Sequence, residues 1–297
     1  MISAAGTPDT PALRRCVLAV SVLADIDIEP TDNGVVLPGP PRVRVSWRDV
    51  AEVVARHAPD SPVARRRVEE LLRLRLVLTG REGSRHPTLR DRARLVALPP
   101  DHAHHPGPGW VREHLLGGAL ELGVGLLGLV GDPDSVLPLP PVVAAAAKLD
   151  VQRWWPGIRV HADRMGRLAA ARLRRLDERE QERDRDPDEA GRASDGDNGH
   201  VIRPVGGCDV LALLSSPTLR RQLIGMDPAR MCALAVPMRR RGWFDTAQID
   251  PAFVLGAWAA TDDFDRGLPR PVLVTLDEVS LVATGGGRAP GIPSQRG

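Results

Sequence analysis

A chain of 297 residues, 42% of them hydrophobic, holds enough apolar mass for one large domain or two smaller ones, which excludes a disordered or fibrous protein. A net charge of +2 excludes a surface built throughout to hold nucleic acid or anionic membrane, so only a local patch could do so. Three cysteines, Cys16, Cys208 and Cys232, are odd in number, widely spaced and set among apolar residues, which excludes a disulfide framework or a zinc pattern.

The first residues, MISAAGTPDTPALRR, are polar and proline-punctuated and lack a basic-then-apolar leader, so a cytoplasmic location is expected. Thr10-Pro11 is a cap and first-turn pair, and ALRRCVLAVSVLAD after it reads as a buried helix. Ser46 with Asp49 forms a capping box ahead of Trp47, Val50, Ala51, Val54 and Ala58 at helical spacing. A second amphipathic helix starts at Ser61-Pro62, with Ala64, Val68, Leu71 and Leu72 on its inner face. LVLT (76–79) and RLVAL (94–98) read as short strands, so the order is helix, turn, helix, two-stranded ribbon, that of a winged helix-turn-helix.

Residues 61–98 contain ten arginines against four acids. Arg65, Arg66, Arg67 and Arg73 are expected mainly off the apolar face, with Arg81, Arg85, Arg90 and Arg92 in the loop beyond, where together they could touch nucleic-acid phosphates. The same helix also spaces Arg65 with Glu69, Arg66 with Glu70, and Glu69 with Arg73 as i,i+4 pairs that would cancel its charge.

The connector DHAHHPGPGWVREH brings His102, His104, His105 and His114 near Asp101 and Glu113. An H-x-H pair in extended chain puts two imidazoles on one side, as a hydrolytic metal site needs, but no third ligand stands at a defensible spacing. Prolines on both sides make solvated histidines in an exposed loop the expectation.

LELGVGLLGLVGD contains a literal G-x-G-x-x-G at Gly123, Gly125 and Gly128, with Asp150 at the distance where a dinucleotide fold keeps an acid. The apolar spacing before these glycines is that of a helix, however, and Pro133, Pro138, Pro140 and Pro141 forbid the crossover helix that must follow. The segment is instead expected as a helix whose Gly118, Glu121, Gly125 and Gly128 form a stripe for close packing, with Glu121 at a wet edge. The longest apolar run, Leu115 to Gly131, has seventeen residues with Glu121 near its centre, which argues against a membrane span.

A helix from about Val142, broken near Trp154-Trp155-Pro156, continues into a long charged helix. In the last part, Asp209, Ser216-Pro217 and Asp250-Pro251 look like helix starts, and MCALAV, VLVTL and VSLVA like strands. Arg239, Arg240 and Arg241, beside Trp243, could hold an anion or an acidic partner. Cys208 lacks an identifiable partner histidine and is not expected to be a nucleophile.

The expected fold is α+β and predominantly helical. It comprises a helical, winged-helix-like region over 1–100, and a helical middle over 101–185 with the glycine-rich apolar helix and the long charged helix. A flexible acidic linker over 186–200, a small α+β module over 201–285 and a disordered tail over 286–297 follow. There is no G-x-S-x-G, H-E-x-x-H or P-loop, which points away from an enzyme, and no cofactor is expected. The leading expectation is a regulatory or interaction protein that meets a protein partner, or nucleic acid, through arginine side chains. A metal-dependent hydrolase built on the histidines is the competitor, and a scaffold that self-associates through the glycine stripe or charged helix is the third.

Overall fold

Ser46 accepts the Asp49 backbone N–H at 3.1 Å while the Asp49 carboxylate accepts the Ser46 N–H at 3.3 Å, and this capping box starts the helix Trp47–Val54. The computed structural model that shows it describes residues 10–55, 57–79, 86–129, 132–185, 201–226, 230–245, 249–275 and 279–282. The acidic segment 186–200, the tail 286–297, and Arg81 and Arg85 lie outside the described residues.

Helix α1 (Thr10–Leu23) buries Leu13, Cys16, Val17 and Val20 at i, i+3, i+4 and i+7. It is followed by an antiparallel meander of β1 (Glu29–Thr31), β2 (Gly34–Leu37) and β3 (Val43–Ser46). Next come α2 (Trp47–Val54), α3 (Pro62–Thr79) and α4 (His86–Arg92). The winged-helix order is therefore not present: the ribbon precedes the helices, and LVLT is the last turn of α3. Leu71, Leu74 and Leu78 continue the three-four spacing of a buried helical face through that stretch, and a four-residue apolar run cannot oppose it.

The middle is likewise not all helical. β4 (Ala93–Leu98), β5 (Glu113–Leu115), β6 (Leu120–Leu127) and β7 (Val136–Pro138) form an antiparallel sheet in which β6 pairs with each of the others. In β6, Leu120, Leu122, Val124 and Leu126 alternate with Glu121, Gly123, Gly125 and Leu127, so the governing period is two. The glycines admit neighbours: a Cβ at Gly123 would overlap the Trp110 indole, and one at Gly125 would press on Val96 and Val136. Gly128, at φ +62°, lies in the turn toward β7, so no helix amino end faces this motif.

Helix α5 (Pro141–Ala146) ends at a left-handed Lys148 (φ +53°), and α6 (Val151–Arg185) then runs unbroken through Pro156. Trp154, Ile158, Ala162, Met165, Ala169 and Leu173 lay one stripe of α6 on the core. Beyond it, β8 (Val201–Ile202), α7 (Val210–Leu213), α8 (Pro217–Gly225), β9 (Cys232–Met238), β10 (Arg241–Asp245), α9 (Pro251–Ala260), β11 (Val272–Val274) and β12 (Val279–Leu281) follow. Their five strands form a sheet of order β12-β11-β9-β10-β8, and Asp209, Ser216 and Asp250 cap the helices where the sequence places caps. Three antiparallel sheets correct the predominantly helical expectation to a mixed α+β fold, with a main buried cluster running from Leu13 to Val279 and a small one of Val96, Leu98 and Trp110.

Candidate functional site

The arginines of α3 are mostly occupied. Arg67, 6% exposed, is buried and not off the apolar face as expected: its guanidinium donates to the carbonyls of Ala103 (2.6 Å), Val53 (3.1 Å) and His102 (3.3 Å). Arg66 pairs with Glu70 at 3.1 Å and lies over the Phe264 ring, and Arg73 pairs with Glu69 at 2.8 Å. Arg65 is exposed and forms no ion pair among the described residues, so a four-arginine phosphate-binding face is not assembled.

The histidines belong to the same structure. His102 and His105 are only 5% and 6% exposed, so the connector is not the solvated loop its prolines suggest. His102 Nδ1 accepts the His104 N–H at 3.0 Å, and the His104 ring stacks on His102 and meets Phe264 at 4.5 Å. Glu70 is shared between Arg66 and His104 Nδ1 (3.4 Å). Burial raises its carboxyl, but the hydrogen bonds and charges of His104 and Arg66 outweigh that and hold it below the usual carboxylate range. His105 Nε2 stands 2.6 Å from Glu121, which the register of β6 puts opposite His114 on β5, with His114 Nδ1 at 3.9 Å. Glu121 is thus a mostly covered acid among imidazoles and not a wet-edge residue. Two candidate sites from different parts of the sequence form one packed cluster, and among the described residues no group of three or more His, Cys, Asp or Glu is gathered to hold a metal ion.

Arg239 and Arg240 form the two-residue turn between β9 and β10. Arg239 is clamped by Asp209 through two contacts of 2.8 and 2.6 Å, and Arg240 stands 3.4 Å from Asp265. Arg241 differs: its guanidinium lies over Trp243 at 5.1 Å, and Trp243 meets Phe253 of α9 edge to face at 6.1 Å. Cys208, fully buried ahead of α7, has its thiol pushed up to about 12 by burial and by the Asp209 charge, which leaves it inert.

Helix α9 carries a feature that its apolar sequence alone does not show. Its ten residues, PAFVLGAWAA, carry no charge, yet Val254 is the one that is buried; Phe253 and Leu255 are 52% and 53% exposed, and a Cβ at Gly256 would meet nothing within 4 Å. Exposed Asp250 stands at one end and exposed Asp262 and Asp263 at the other. Trp258, under Arg266 at 4.6 Å, lines a cavity of about 440 Å³ together with His57, Asp101 and His102. A helix apolar on all sides is ordinarily enclosed, and this one is not.

Comparison with protein-family models, with curated proteins and with solved structures finds no match for the chain.

Proposed function

We propose that this is an interaction protein whose partner, another protein, encloses α9. The observation that carries the reading is an uncharged ten-residue helix with a single buried side chain, continued by Trp243 and Arg241, the residue types that dominate binding hot spots. The partner holds the helix from both flanks, since Phe253 and Leu255, two residues apart, point to opposite sides of the buried Val254. Acids at both ends favour a groove with a basic rim, and they disfavour two other occupants. An anionic leaflet would repel Asp250 and Asp262, and an antiparallel second copy would bring Asp250 against Asp262. The arginine-based nucleic-acid reading has little left to stand on, since Arg66, Arg67, Arg73 and Arg239 are already engaged.

The test places the photo-crosslinker p-benzoylphenylalanine at position 253 in producing cells. One heterologous adduct is expected, identifiable by mass spectrometry, that binds the purified chain and loses at least about 30-fold in affinity to Phe253→Asp with Leu255→Asp. Absence of any adduct overturns the reading. So does an adduct only to a second copy, with a dimer mass in light scattering.

A further inference from the structure

We infer that a second, separate site binds a small phosphorylated molecule in the cleft where α4, the turn after α5 and the start of α6 meet. The cleft has a volume of about 450 Å³, within the range of small-ligand sites. Three cations line it, Arg90, Lys148 and Arg153, and none enters an ion pair among the described residues, whereas Arg66, Arg73, Arg239 and Arg266 all do. Of its two acids, Asp150 is committed to the first turn of α6, its Oδ1 accepting the Arg153 backbone N–H at 3.0 Å. Three cations against Asp91 and Asp150 leave one net positive charge, to which the amino end of α6 adds about half of another, and a phosphomonoester offers the three donor groups three acceptor oxygens where a carboxylate offers two.

The position of Lys148 is the second observation. It is the chain's only lysine, and it takes the left-handed conformation, φ +53°, in the tight turn where the Lys148 and Leu149 N–H groups bond back to Ala145 and Ala144 of α5. Glycine is the residue that this place at a helix end favours. A side chain held there against backbone preference puts an ammonium at the cleft, and such strain gathers at ligand sites. The Arg90 guanidinium reaches to 3.8 Å from where a Cβ on Gly157 would stand, over the second turn of α6. Leu149 and Trp154, also in the lining, offer apolar surface for the body of the ligand.

The experiment titrates the full chain with phenyl phosphate, benzoate, phenol and a short DNA duplex by calorimetry. Saturable binding of phenyl phosphate is expected, with benzoate at least tenfold weaker and phenol silent. Lys148→Gly is expected to weaken phenyl phosphate at least tenfold while melting about 2 °C higher, which separates loss of the ligand contact from loss of fold. Arg153→Gln should weaken binding similarly. No saturation by about 10 mM, equal affinity in Lys148→Gly, or a preference for duplex DNA over phenyl phosphate would each overturn the inference.

Discussion

At the scale of single residues, Arg67 carries the largest consequence. Its buried guanidinium donates to three carbonyls from two chain segments, so truncation leaves the Ala103 and Val53 oxygens without this donor, while the His102 oxygen keeps the His105 N–H. Arg67→Ala is expected to cost about 3–5 kcal/mol in urea unfolding, and Arg67→Lys to recover little, because one ammonium cannot span three acceptors in the plane of a fork. Arg65→Ala, on an exposed neighbour, is expected to stay within about 0.5 kcal/mol. Arg67 was legible in principle, since it stands one helical turn from both Ala64 and Leu71, both buried. The run Arg65-Arg66-Arg67 makes the inward-facing residue look like its exposed neighbours. Arg241 and Trp243 were legible as a cation beside an indole, whereas their join to Phe253 depends on a tertiary edge-to-face contact that no local pattern encodes.

At the scale of elements, β6 shows how two periods compete. The glycines and the helix-like spacing ahead of Leu120 favour period 3.6, but a strand with both faces covered reads as a continuous apolar run, and the alternation becomes decisive only once Trp110 needs space. Trp110 donates its indole N–H to the Val124 carbonyl at 2.8 Å, which pins the ring flat over Gly123. Gly123→Ala is therefore expected to cost about 1–3 kcal/mol by thermal denaturation. Adding Trp110→Leu should give a double variant less destabilised than the sum of the two changes, because the methyl then enters vacated space. Helix α9 was legible only as a start at Asp250-Pro251; its meaning lies in what fails to cover it, and burial is a property of the whole fold.

For the whole molecule, pH is the sharpest probe. Burial, with the Arg239 and His104 charges, lowers the proton affinity of His102 from the ordinary 6.5 to about 2, so the folded state keeps this imidazole neutral while the unfolded chain takes a proton. The resulting stability is present in full above pH 6.5 and drains away as pH falls, by about 1.4 kcal/mol per unit, continuing toward about pH 2. Half-buried His161 shifts in the same direction, and Asp265, raised by burial, opposes it only in the carboxylate range. Urea midpoints taken from pH 6.5 to about pH 5 should fall by the equivalent of about 2 kcal/mol, and His102→Gln should flatten that slope by about one proton. Most helix starts of the last third were visible from their caps, and three of its strands from apolar runs. The three-sheet architecture was not, because the β1–β3 meander consists of strands of three or four residues, too short to set a period.

Phe264 closes, from late in the chain, a cluster that Arg66 and His104 begin much earlier. On a translating ribosome the early half therefore emerges lacking the ring that completes it, and final packing around Glu70 must wait until most of the polypeptide has been synthesised.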